Sequence, residues 1–256
     1  MLNIDEIKKF YESKYNKFDQ FLFKEYLQYL ILKVIFETEY ANKLSFLWWT
    51  NLRLVHNNQR FSEDLDFDNF DLTKDEFDKL SIIVKEKLEL EWFDVEIKNV
   101  YKWAFRCSIK IPWILQKLWF SSMEEEKILI QIDTVPHWFK YNIETKVFNK
   151  FWLFFKINTT PLDILLSQKI WAIFNRNRSK WRDYFDIVFL FSKTMPNFDY
   201  LNEKLWFNNL EITKKEILKL CDSLDFETLS NDVKSFLINP EEINRVTMFR
   251  EFIEGL

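Results

Sequence analysis

The sequence predicts an α+β fold, and three observations carry that prediction. Segments with the 3.6-residue apolar spacing of amphipathic helices lie near the N-terminus. Between them and the C-terminal region, residues 44–47, 62–67, 101–111 and 127–135 show short apolar runs or two-residue alternation, the mark of half-buried strands. From residue 160 onward the pattern is helical again, with breaks at Pro196 and at Asn239-Pro240.

Composition bounds the class. A chain of 256 residues forms one large or two small domains, and 48% hydrophobic with 30% charged residues is a soluble globular composition. A net charge of −4 argues against wholesale nucleic-acid wrapping while leaving room for local basic surface. Residues 1–9 lack the apolar stretch of a signal peptide, and the apolar run 29–36 is interrupted by Lys33 and too short for a bilayer, so no membrane association and a cytoplasmic location are expected. The isolated Cys107 and Cys221 fit a reducing compartment. His56 and His137 alone give little material for a zinc site or a Ser-His-Asp triad.

Taken in order, residues 4–13 and 18–37 read as helices, the second with an apolar stripe through Phe21, Leu22, Tyr26, Leu30, Val34 and Ile35. The strand at 44–47 leads into Trp48-Trp49-Thr50 and a helix over 50–56 with Leu52 and Val55 on its buried side. In the strand 62–67, Asp64 and Asp66 project from one face and Leu65 and Phe67 from the other. Asp68 and Asp71 read as a solvated acidic loop, after which Thr73-Lys74-Asp75-Glu76 forms a capping box for a helix to about residue 90. The next strand, 101–111, sets Tyr101, Trp103, Phe105, Cys107, Ile109 and Ile111 against a basic face of Lys102, Arg106 and Lys110. In 127–135, Ile128, Ile130 and Ile132 point inward, with Gln131 and Asp133 outward.

Residues 140–157 read as a hairpin or linker, and Thr160 as N-cap with Pro161 at the first helical position opens the next helix. Lys169 falls amid that helix's apolar face, where a lysine either snorkels or meets a buried anion. A further helix begins near residue 181, with Asp183 and Asp186 on one face. Between Ile164 and Arg182 the chain carries five basic residues and no acid, a local positive surface suited to triphosphate or an RNA backbone.

The chemistry concentrates at Asp64 and Asp66. Two carboxylates on one strand face suit a divalent cation, because Mg²⁺ takes oxygen ligands from one or two carboxylates and leaves the rest to substrate phosphates. The strand, turn and helix start at 44–56 fits phosphate handling as well, but such a turn wants glycine, whose backbone N–H groups approach a ligand without a Cβ in the way. Two tryptophans stand there instead.

With glycines at 48 and 49 the stretch would read Gly-Gly-Thr-Asn-Leu-Arg-Leu, followed by Arg60-Phe61-Ser62-Glu63-Asp64-Leu65-Asp66-Phe67 as written. Together they resemble the signature of the AbiEii/AbiGii toxin family of nucleotidyltransferases, in the DNA polymerase beta-like superfamily. Leu165-Leu166-Ser167-Gln168-Lys169-Ile170 and, with glycine at 181, Lys180 to Asp186 resemble the family's later elements. The resemblance spans roughly residues 44–190 and implies a nucleotidyltransferase core, a small mixed sheet flanked by helices, over 1–157, with a helical region over 158–256 completing the active site. It further implies catalytic Asp64, Asp66, Asp133, Lys169 and Asp183, with Mg²⁺ or Mn²⁺ on Asp64 and Asp66. Nucleotide-binding positions would be Trp48, Trp49, Thr50, Arg60, Ser62 and Lys169. The substrate would be an NTP; tRNA is a candidate acceptor and a cognate antitoxin a candidate partner. Transfer to a small molecule or a protein, and a non-catalytic nucleotide- or partner-binding module, are the alternatives.

Glycine usage bears on the two tryptophans. At an average of about 7% the chain would hold roughly 18 glycines, yet Gly255 is its single glycine beside 11 tryptophans. Reading UGA codons as glycine would account for this, with Trp48, Trp49, Trp119, Trp138 and Trp181 as turn or cap positions; a Trp-rich, bulky core is the other reading.

Overall fold

The computed structural model describes residues 1–114, 127–231 and 236–256; Trp119 lies outside them. The chain divides into two units, one comprising Met1–Asn51 with Ser62–Thr159 and the other Leu52–Phe61 with Thr160–Leu256.

The first unit is built on a seven-stranded mixed sheet. Its strands are β1 (Leu44–Leu47), β2 (Leu65–Asn69), β3 (Glu96–Tyr101), β4 (Phe105–Ile111), β5 (Ile128–Pro136), β6 (Glu144–Lys150) and β7 (Leu153–Thr159), in the order β3-β4-β5-β2-β1-β7-β6. β2 runs parallel to β5 and β1 parallel to β7, while the other neighbours are antiparallel. The helices α1 (Ile4–Lys8), α2 (Asp19–Phe36) and α4 (Lys74–Leu90) belong to this unit, and α3 (Trp48–Leu54) begins in it.

Two adjacent rows of side chains explain why the sheet has one apolar and one acidic face. Phe105, Thr134, Phe67 and Phe46 are cross-strand partners on β4, β5, β2 and β1. Phe67 meets Phe36 of α2 at 6.1 Å and Phe105 meets Phe77 of α4 at 5.7 Å between ring centroids, so α2 and α4 cover this face. One residue along, the row reads Arg106, Asp133, Asp66, Leu47. Since side chains alternate along a strand, this second row faces away from α2 and α4.

Several expectations need correction. The strand over 101–111 is two strands, because Tyr101 closes β3 against Phe105 of β4 and Lys102 to Ala104 form the turn; alternation runs on across a three-residue turn, so periodicity does not reveal it. β3, Glu96–Tyr101, begins five residues before the expected strand. Of the two readings of residues 140–157, the hairpin is met: β6 and β7 pair from Glu144 to Thr159. Asp68 is not solvated: it lies within β2, is buried, and takes His137 Nδ1 at 3.0 Å and the Tyr141 hydroxyl at 2.6 Å. The first helix ends at Lys8, short of 13, and Pro161 is an N-cap where Thr160 was expected to be. The capping box of Thr73 and Glu76 is present with both hydrogen bonds.

The second unit is helical: α5 (Leu162–Asn175), α6 (Trp181–Phe191), α7 (Phe198–Leu205), α8 (Leu210–Cys221), α9 (Phe226–Asn231), α10 (Asn244–Thr247) and α11 (Phe249–Glu254). α6 is amphipathic, and its Trp181 and Phe185 form a core cluster with Leu237 and Val246. The outer segment 52–61 joins this unit through backbone bonds from Phe61 N–H to Phe236 O (3.0 Å) and from Ile238 N–H to Gln59 O (3.4 Å).

Phe67 is 1% exposed at the junction of β1, β2 and α2. Phe67→Ala is expected to lower the unfolding free energy by about 3–5 kcal/mol, read by urea denaturation; a loss well under 1 kcal/mol would contradict this packing.

Candidate active site

In the first unit the site starts from the register of β2. Asp66 lies opposite Asp133 of the parallel strand β5, and Asp64 stands just before β2 begins. Of the carboxylates predicted at 64, 66 and 133, the register therefore brings Asp66 and Asp133 side by side, while Asp64 is tied to β5 through the Gln131 N–H. Asp66 is buried, at 8% exposure. Burial pushes the Asp64 carboxyl above its ordinary value, against the Gln131 N–H that donates to Asp64 Oδ1 at 3.2 Å and the Lys24 charge; the neighbouring Glu63 and Asp133 add to the upward push. Asp133 takes a bidentate ion pair from Arg106, with Nε at 2.6 Å and Nη2 at 2.9 Å. Arg106 was read only as part of a basic strand face, and its role depends on the β4–β5 register, which the sequence does not display.

Residues 48–50, expected as a turn before a helix, are already the start of α3, which follows β1 directly and is tied to the approach to β2 by Thr50 and Ser62. The Thr50 hydroxyl is fully buried, lies 2.8 Å from Ser62 Oγ and also donates to the Asp64 carbonyl. Asn51 Nδ2 reaches the Phe46 carbonyl at 2.8 Å and the Thr159 hydroxyl, anchoring α3 to β1 and β7. Gln28 of α2 donates to the carbonyls of Ser62 and Glu63, both at 3.0 Å, and so fixes the approach to β2. Trp48 has φ 59°, a left-handed backbone that favours glycine, and its ring lies 6.0 Å from that of Trp49.

The remaining predicted residues form a separate assembly inside the second unit. Lys169 is 1% exposed, with Nζ 3.0 Å from Asp183 Oδ1 and 3.1 Å from Asp186 Oδ2. Of the two expectations for this lysine, a solvated head is ruled out and the buried anion is met. Arg60 is fully buried and forks onto Asp186, Nε to Oδ1 at 3.0 Å and Nη2 to Oδ2 at 2.7 Å, and Asn58 adds a third donor at 3.0 Å. Arg176 pairs with Asp183 Oδ2 at 2.7 Å. Of the five basic residues between 164 and 182, Lys169 is thus interior, while Arg178 and Lys180 are exposed. Burial alone would raise the Asp186 carboxyl, but the Arg60 and Lys169 charges outweigh it and hold it low. Burial pushes the Lys169 ammonium down, against the attraction of Asp183 and Asp186. Asp186 was expected only as a face-mate of Asp183; its partner Arg60 is 126 residues away in the chain, so no local pattern pairs them.

The family model of the nucleotidyl transferase AbiEii toxin, type IV toxin–antitoxin system, matches residues 50–242. The chain belongs to the AbiEii nucleotidyltransferase toxin family. Two solved structures share the fold: JHP933 from Helicobacter pylori, with TM-score 0.56, 20% identity and coverage of 92% of this chain and 91% of that one, and an H. pylori protein designated provisionally as a nucleotidyltransferase, with the same score and identity and coverage of 92% and 95%. No protein with a curated description matches the chain significantly. The resemblance read from residues 44–190 and the α+β class with a mixed sheet agree with these matches. Among the described residues no helix is long and apolar enough to cross a membrane.

A divalent cation is the group that AbiEii-type nucleotidyl transfer implies. Among the described residues no set of three or more His, Cys, Asp and Glu side chains is arranged to enclose a metal by itself. The donor chemistry nonetheless fits: Asp64 and Asp66 supply hard oxygens, and Asp64 sits where burial opposes its negative charge, a cost that a cation offsets.

Asp186→Ala leaves Arg60 buried without its carboxylate partner and Lys169 with Asp183 alone, and is expected to cost about 3–5 kcal/mol of stability. Because the folded carboxyl is held below its ordinary value of 3.8, the stability it contributes is present above that pH and fades as pH falls through the lowered value. Urea unfolding of parent and Asp186→Asn should therefore show a gap that is constant near neutrality and narrows in acid; a gap that widened in acid would reverse the sign.

Proposed function

We propose that the protein transfers a nucleotide from an NTP to an acceptor with Mg²⁺ or Mn²⁺, and that Asp64, Asp66 and Asp133 form its reacting face. The observation that supports the reading is the parallel register of β2 and β5, which sets Asp66 opposite Asp133, with Asp64 immediately before β2. Asp64 and Asp66 would hold the cation, which supplies charge neutralisation to the triphosphate and the leaving pyrophosphate. Asp133, kept oriented by its Arg106 fork, is the carboxylate placed to accept a hydrogen bond from the attacking hydroxyl and to take up its proton. The 48–50 segment is the cradle for the triphosphate, its Thr50 hydroxyl holding it against the Asp64 backbone.

Lys169, Asp183, Arg60 and Asp186 act in this reading as a buried ionic frame that fixes α5 and α6, so Lys169 and Arg60 are positioning residues and do not touch the nucleotide. tRNA is the acceptor proposed, with the exposed Arg178 and Lys180 available to pair with phosphates. A cognate antitoxin is the proposed partner, in keeping with a type IV toxin–antitoxin family, and the proposed location is the cytoplasm. A second reading, a nucleotide- or partner-binding module without catalysis, is favoured by one observation: the chain as written places the Trp48 and Trp49 indoles together at this segment.

Asp66→Asn is expected to abolish incorporation of labelled nucleotide into tRNA, small molecules and protein, with NTP affinity in calorimetry falling toward that of the parent in EDTA. Parent affinity unchanged by EDTA would remove the metal assignment, and undiminished incorporation by Asp66→Asn would remove the carboxylate. Ionising Asp64 is costly in the fold, so cation affinity should also rise with pH through the raised carboxyl value; calorimetric titrations at several pH values check this, and affinity independent of pH would speak against Asp64 as a ligand.

A further inference from the structure

We propose that the native chain carries glycine at positions 48, 92, 113, 152 and 206, where the sequence reads tryptophan, because its source decodes UGA as glycine. The backbone selects these positions independently of any functional reading. Among the described residues, eight non-glycine residues have positive φ, and five of them are tryptophans: Trp48 (59°), Trp92 (68°), Trp113 (61°), Trp152 (60°) and Trp206 (64°). Asn57 and Asp71, two of the other three, are residue types that tolerate the left-handed region through local hydrogen bonding. A tryptophan there sets its Cβ against the following carbonyl, which makes a bulky side chain a genuine outlier.

The local motifs are those in which glycine is the usual occupant. Trp92 follows α4 in a Schellman ending, with its N–H on Glu89 O at 3.0 Å and the Phe93 N–H on Leu88 O at 3.3 Å. Trp206 is the left-handed cap of α7, donating to Asn202 O. Trp152 is the second residue of the two-residue β6–β7 hairpin loop, whose residues both have positive φ, the type I′ combination that prefers Asn-Gly. Trp48 stands where β1 turns into α3. Side-chain packing does not account for the choice, since Trp92, Trp113, Trp152 and Trp206 are 85%, 46%, 69% and 83% exposed.

The selection is sharper than the sequence allowed. Of the four tryptophans singled out from turn and cap context that lie among the described residues, Trp48 alone has the left-handed backbone; Trp49 and Trp138 do not, and Trp181 is 5% exposed in the core of the second unit. The single glycine of the chain, Gly255, belongs to the same anomaly: glycine is missing where turns need it and tryptophan stands in its place.

Peptide mass spectrometry of the protein isolated from its source cells, with sequencing of the gene, tests the proposal. Glycine-containing peptides at 48, 92, 113, 152 and 206 with UGA codons are expected; tryptophan in those peptides, or UGG codons, would overturn it. A second measurement needs no source cells: Trp92→Gly and Trp206→Gly, each made in the recombinant chain as written, should raise its thermal midpoint, and an unchanged or lowered midpoint in both would count against the proposal. Neither readout involves nucleotide transfer, so the fate of the active-site reading does not decide this one.

Discussion

The parallel pairing of β2 with β5 is the constraint on which the rest of the first unit depends. It sets Asp66 beside Asp133 on one sheet face and Phe67 beside Thr134 on the other, so one register defines both the acidic surface and the core under α2 and α4. A slip of one residue would exchange the two faces, burying carboxylates among phenylalanines. The register is held on both flanks, by Asp66 opposite Leu47 of β1 and by Asp133 opposite Arg106 of β4. The Thr50 and Gln28 hydrogen bonds then fix the chain on its approach to β2, where Asp64 precedes the strand.

Charge is handled differently in the two units. In the second unit Asp183 and Asp186 are buried with Lys169 and Arg60 and with Arg176 at the margin, an internally matched set whose fork and ammonium geometry supplies donors to both carboxylates. In the first unit Asp66 and Asp133 lie side by side with one arginine, Arg106, on Asp133, and burial pushes the nearby Asp64 upward. A matched cluster fixes structure, whereas the acidic excess of the first unit is the feature on which the proposed cation role rests.

How much of this was legible in the sequence follows from the range of each signal. The capping box at Thr73 and the strand carrying Asp133 are local patterns and appear in the fold as read, whereas the strand expected over 62–67 runs over Leu65–Asn69 and leaves Asp64 just before it. The Tyr101–Phe105 hairpin was missed because alternation continues across its turn, and Asp68 was misplaced because nothing nearby in sequence announces His137 and Tyr141 as its partners. Arg106 on Asp133 and Arg60 on Asp186 were illegible for the same reason, being products of strand register and of chain segments far apart. The tryptophans were noticed through composition, but the positions that strain the backbone became visible only as φ values.

The central claim is that the acidic face of β2 and β5 is where the nucleotide reacts. It is tested most directly by a crystal structure of the protein with Mn²⁺ and a non-hydrolysable NTP analogue, the anomalous signal locating the metal. The account expects that signal between the carboxylates of Asp64 and Asp66, with the triphosphate against the segment from Trp48 to Thr50. Manganese and triphosphate bound together at a place away from Asp64 and Asp66 would contradict it.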